Sequence, residues 1–171
     1  GGEKWGRYSI IGLPSRERIE VRGFTVSHVV DGELQGAGEV EDPLDWIEQF
    51  QARFKVPRLD DQPRFDGGLV GYFGYDTIRY IEPRLRSQAA ADKPDPLGVP
   101  DILLMVCDEL VVFDNLSGRL ALWTHADPAE PNAYGSAVHR LEELEVRLRS
   151  ATLNTISPGT GGAAVEEGDF T

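Results

Sequence analysis

The chain has 171 residues, 40% hydrophobic and 27% charged, a composition that suits one ordinary globular domain with a core of useful size. Its 29 acidic against 17 basic residues give a formal charge of −12, which argues against a nucleic-acid or anionic-membrane surface and agrees with plain solubility. No apolar run approaches the ~20 residues of a membrane-spanning helix, Gly1 to Arg7 carries no export signal, and Cys107 stands alone, so no internal disulfide and no cysteine metal cluster is expected and the cytoplasm is the expected compartment.

In chain order, Arg7–Ile11 is β-branched and aromatic and stops at Gly12 and Pro14, which reads as a strand before a turn. Arg18–Arg22 alternates charged and apolar residues, the period-2 signature of a half-buried strand. Phe24–Val30 continues it, and Asp31-Gly32 signals a hairpin before a return strand near Leu34. An opening antiparallel meander is expected. A helix then starts at Pro43, capped by Asp42 and favoured by Asp45, with Leu44, Ile47, Phe50 and Phe54 on one apolar face and Val56-Pro57 closing it.

Leu59–Asp66 is polar and reads as loop. Gly67–Gly74 reads as a buried strand with close backbone neighbours, running into a short helix at Tyr75–Ile81. Pro83 to Pro100 is a proline-rich surface connection. Ile102–Cys107, Leu110–Phe113 and Leu120–Thr124 are strand-like, with a turn at Asn115–Gly118, and form a second antiparallel set. The last helix runs from about Tyr134 to Arg149, burying Ala137, Val138, Leu141, Leu144 and Leu148 on one face and pairing Glu143 with Arg147 and Glu145 with Arg149 on its surface. From Ala151 onward the Ser-Pro-Gly-Thr-Gly-Gly composition cannot bury enough apolar area to offset ordering, so residues 151–171 read as a linker that continues into further polypeptide. The expected class is α+β, with antiparallel, sandwich-like sheets and flanking helices over residues 1–150.

Few residues suggest self-contained chemistry. The glycines of 67–74 lack the Lys-Ser/Thr of a phosphate loop, and Leu69, Val70, Tyr72 and Phe73 fill their spacing. His28, His125 and His139 are scattered, Glu142, Glu143 and Glu145 sit on a solvated helix face, and Cys107 ends an apolar strand as a small buried thiol, so no catalytic residue and no metal ligand is assigned. The amino-terminal cluster Trp5-Gly6-Arg7-Tyr8-Ser9 is different. On a strand, Trp5, Arg7 and Ser9 point one way and Tyr8 the other. Aromatic faces, a guanidinium and a hydroxyl can hold an aromatic ligand that carries a carboxylate.

Four stretches, Trp5–Gly12 (WGRYSIIG), Asp66–Asp76 (DGGLVGYFGYD), Pro100–Asn115 (PDILLMVCDELVVFDN) and Arg119–Pro128 (RLALWTHADP), resemble in order and spacing the amino-terminal region of the chorismate-utilising enzymes. Within that family the sequence is most similar to anthranilate synthase component I, with aminodeoxychorismate synthase component I as the alternative. The resemblance implies a lyase that forms anthranilate and pyruvate from chorismate, with magnesium and with ammonia from a glutamine amidotransferase subunit. It also implies feedback inhibition by L-tryptophan. The chorismate and magnesium residues of the family lie in the other half of the protein, so this chain alone is expected to be inactive. The inhibitor pocket of the family uses a Leu-Leu-Glu-Ser segment, which would precede Gly1, and the strand after it, whose positions fall on Trp5, Arg7, Tyr8 and Ser9. A stand-alone amino-acid-binding module and a plain interaction domain stay open beside this reading.

Overall fold

The computed structural model describes residues 6–57, 65–85 and 97–150. Eight strands and three helices follow the chain order β1 (Tyr8–Gly12), β2 (Glu17–Arg22), β3 (Thr25–Val30), β4 (Glu33–Glu39), α1 (Pro43–Gln51), β5 (Gly68–Phe73), α2 (Ile78–Ile81), β6 (Ile102–Cys107), β7 (Glu109–Asp114), β8 (Arg119–Thr124) and α3 (Ala133–Ser150). Short 3-10 turns flank α2 at Tyr75–Thr77 and Pro83–Leu85. All pairing is antiparallel, in a five-stranded sheet of order β4-β3-β2-β6-β5 and a three-stranded sheet of order β1-β7-β8. The expected α+β class holds.

Local signals act as read. Asp31 and Gly32 both take positive φ, at 52° and 84°, the geometry of a two-residue turn whose twist matches its flanking strands. The Asp42 carboxylate accepts from the backbone N–H groups of Leu44 and Asp45 at 2.9 and 3.3 Å, and Pro43 opens α1. The period-2 pattern of β2 puts Ile19 and Val21 wholly inside, where they meet Val26 of β3 and Ile102, Leu104 and Val106 of β6. Ile47 and Phe50 of α1 and Tyr80 of α2 close this core. Each fully buried Ile or Val removes enough apolar surface from water to contribute roughly 1.5–3 kcal/mol. The Tyr80 hydroxyl donates to the Gly23 carbonyl at 2.6 Å, which pins α2 to the β2–β3 turn.

Four expectations give way. The opening strands and the later ones do not form two separate sets: β6 inserts between β2 and β5, and β1 leaves the meander to pair with β7, Tyr8 opposite Asp114. Segment 67–74 is an edge strand rather than a buried one, with Val70, Tyr72 and Phe73 substantially exposed. Helix α1 ends at Gln51, so Phe54 lies beyond it and is exposed, though its ring still touches Phe50 at 5.6 Å. On α3, Glu145 pairs with Arg149 as read, but Glu143 meets Arg140 and His139 and not Arg147, because Arg140 is also drawn to Glu109 on β7 and brings its charge to that side. Leu144 is the buried residue of that helix. Most of the expected loop at 59–66, most of the 83–100 connection and the 151–171 linker lie outside the described residues. Among the described residues no helix is long and apolar enough to cross a membrane.

Candidate functional site

The amino-terminal cluster comes to rest where β1 runs beside the end of β7. Tyr8 opens β1 and packs on a second, smaller core of Cys107, Leu110 and Val112, joined by Phe65 and Trp123. The strand pattern explains the placement: Tyr8, Ile10 and Gly12 alternate along β1, and Leu110 and Val112 alternate along β7, so the registered pairs Ile10–Val112 and Gly12–Leu110 share Tyr8's side. Trp123 of β8 pairs with Leu110 and, like Tyr8 and Phe65, packs against this small core. Its indole Nε1 is buried and has no hydrogen-bond acceptor among the described residues. An unsatisfied buried donor costs about 1–3 kcal/mol, which makes it an uncommon feature of a folded chain.

Arg7 precedes the strand and does not alternate with it. Its guanidinium lies 4.9 Å from the Tyr8 ring centroid and bonds the Asp114 carboxylate, Nη2 to Oδ2 at 3.0 Å and Nε to Oδ1 at 3.2 Å. Arg7 thus turns toward Tyr8, where simple alternation put it on the opposite side. Asn115 completes the clasp: its backbone N–H donates to the Arg7 carbonyl at 2.7 Å, and its side-chain amide donates to the Gly6 carbonyl and the Ser9 hydroxyl at 3.0 and 3.1 Å. Of the sequence candidates, Arg7, Tyr8 and Ser9 are therefore brought to one place, and Trp5 lies outside the described residues.

Asp114 is the electrostatic pivot. The Arg7 hydrogen bonds, aided by the backbone N–H groups of Leu116 and Ser117, hold its carboxyl far below the usual carboxylate range against the opposing effect of desolvation. A carboxylate whose folded pKa is depressed adds stability that is complete above its unfolded pKa, near 3.8, and fades as the pH falls through that value toward the folded one. The expected result is that Asp114→Asn lowers the denaturation midpoint at about pH 7 and that the gap to the parent closes progressively below about pH 4. Urea titrations of both chains across that window check it, and a gap independent of pH would refute the role given to the ion pair.

Cys107 borders the same cluster. Burial, with the neighbouring Asp108 charge, pushes its thiol pKa up, which is the setting of an inert packing group rather than a nucleophile. Among the described residues no group of three or more His, Cys, Asp or Glu could hold a metal ion. The described residues therefore do not fit the magnesium implied by the resemblance, and none is given a part in holding it. Asp114, Asn115, Phe65 and Trp123 were not legible as site residues. Asp114-Asn115 reads locally as turn material, and Phe65 and Trp123 read as ordinary apolar positions.

The fold is one that occurs within a larger biosynthetic enzyme. The crystal structure of anthranilate synthase component I from Streptococcus pneumoniae matches it with a TM-score of 0.64, at 23% identity, over 86% of this chain and 31% of that one. In sequence, the chain is 56% identical over 149 residues to anthranilate synthase component 1 of Pseudomonas aeruginosa, covering 87% of this chain and 30% of the relative. It is 45% identical over 160 residues to the same-named protein of Neisseria meningitidis, covering 94% of this chain and 32% of the relative. No protein-family model matches the chain. The resemblance carried by the four motif stretches is borne out: the chain is similar to anthranilate synthase component 1 over most of its own length, and it spans about a third of the length of these relatives.

Proposed function

We propose that this chain is the amino-terminal, regulatory part of an anthranilate synthase component I, and that residues 151–171 lead on to the part that carries the chorismate chemistry. The whole protein would convert chorismate and ammonia to anthranilate and pyruvate with magnesium bound outside this stretch. Ammonia would come from glutamine through an amidotransferase partner. The observation that carries the reading is identity of 56% and 45% to two proteins of that name over nearly all of this chain.

Within this reading the Tyr8 cluster is the near wall of the tryptophan pocket. The Tyr8, Phe65 and Trp123 side chains, packed on the same small core, supply the apolar contacts of that wall. Tryptophan would favour an arrangement of the complete protein that binds chorismate less well, so that each ligand weakens the other by the same factor.

The test is to assay the full-length protein with chorismate, magnesium and ammonia and to identify the aromatic product. Anthranilate is expected, with inhibition by tryptophan. Aminodeoxychorismate as the product would move the protein to the other branch of the family, and activity insensitive to tryptophan would remove the regulatory role.

A further inference from the structure

We propose that the groove between α3 and the three-stranded sheet is a second binding site, one for a small organic carboxylate with an apolar body. The groove is open to solvent on one side, offers about 230 Å³, and its lining residues do not include the Tyr8 cluster. Leu144 and Leu148 of α3 form its roof, Val111 of β7 and Leu122 of β8, cross-strand partners, form its floor, and Leu13-Pro14 closes one side. That space is below the ~300 Å³ at which drug-sized pockets begin, so it suits a single ring with a short arm.

Charge at the rim narrows the class. Arg140 and Arg147 both line the groove, because residues seven apart share a helix face. Arg140 is already spent: its Nε and Nη2 bond both carboxylate oxygens of Glu109 at 2.6 and 2.8 Å, and its Nη1 bonds Glu143 at 3.2 Å. That last bond matters, since Glu143 is the residue one turn before Arg147 and would otherwise neutralise it. Glu143 instead faces Arg140 and lies 3.4 Å from His139. Arg147 consequently makes no ion pair among the described residues.

Arg147, with no ion-pair partner among the described residues, thus lines an apolar groove. A planar fork of donors matches a carboxylate bidentately, and the leucine and valine walls take an aryl or branched-alkyl body. A bare inorganic anion would leave the walls unused, and a neutral apolar molecule would leave Arg147 unused.

Phenylacetate and its neutral isostere phenylacetamide are the probes, titrated into the chain while backbone amide resonances are followed. Phenylacetate should shift Val111, Leu122 and Leu148 saturably at millimolar concentration, with phenylacetamide about fivefold weaker. Arg147→Gln should bring the two probes level, Arg147→Lys should keep most of the preference, and Tyr8→Ala should leave both titrations unchanged. Equal binding of acid and amide by the parent chain, preference that survives Arg147→Gln, or shifts centred on Tyr8 and Trp123 would overturn the proposal. Because Tyr8→Ala separates the two sites, failure here leaves the tryptophan reading standing, and the reverse.

Discussion

Gly71→Val should detach β5 from its sheet. Gly71 lies opposite Leu104 in the β5–β6 ladder, and a Cβ built there falls inside the van der Waals envelope of the Leu103 carbonyl oxygen, with the Leu103 carbonyl carbon 2.8 Å and Leu104 Cα 3.0 Å away. All three are backbone atoms of a central strand, so no flexible side chain can move aside. The strands would have to separate, at a cost of roughly 3 kcal/mol or more.

The comparison that isolates this effect is Gly38→Ala on β4, where a Cβ meets nothing within 4 Å and the expected change is within about 0.5 kcal/mol. Urea midpoints for Gly71→Val, Gly71→Ala and Gly38→Ala give the ranking. Amide exchange along β5 and the β6 residues facing it distinguishes local detachment from global unfolding. A Gly71→Ala chain as stable as its parent would show that the strands approach less closely than described.

That glycine also shows what sequence reading reaches. A close backbone approach was legible in Gly67–Gly74, but burial was not, because glycines accompany both a crowded core strand and an edge strand pressed on one neighbour. Asp42-Pro43 and Asp31-Gly32 were legible for a different reason: each acts on the backbone within three residues of itself. Alternation in β2 named Ile19 and Val21 as inward because a side chain's face depends only on parity. Parity does not name the neighbouring strand. That β6 would divide β2 from β5, and that β1 would cross to β7, depends on contacts between residues as far apart as Val21 and Ile102 or Tyr8 and Asp114, for which no short window carries a signal.

The candidate site divides along the same line. Tyr8 was legible as a ring on the first strand, whereas the ion pair that fixes Arg7 depends on Asp114, 107 residues away.

The proposed tryptophan pocket sets a second expectation for the full-length protein. If Tyr8 supplies the ring contact, Tyr8→Ala removes an aromatic face worth about 2 kcal/mol, and the tryptophan concentration for half-inhibition should rise roughly thirtyfold. The chorismate KM measured without tryptophan should stay within about twofold, because a loss confined to the inhibitor pocket does not touch substrate binding.

Arg7 should behave differently. Its guanidinium is held by Asp114 and covers Tyr8, so it acts as a brace and not as a free receptor for a carboxylate. Removing either end of the pair then loosens the same ring, and Arg7→Gln and Asp114→Asn should each weaken inhibition by a similar few-fold factor, well short of Tyr8→Ala. The double variant decides the matter. A brace predicts that Arg7→Gln adds little once Asp114 is gone, since the shared interaction is lost only once. A guanidinium that binds the ligand itself predicts the opposite: Asp114→Asn would release it and tighten inhibition, and Arg7→Gln would then cost more in that background than alone. Inhibition curves for the four proteins of this cycle separate the two, and tighter inhibition in Asp114→Asn would overturn the brace.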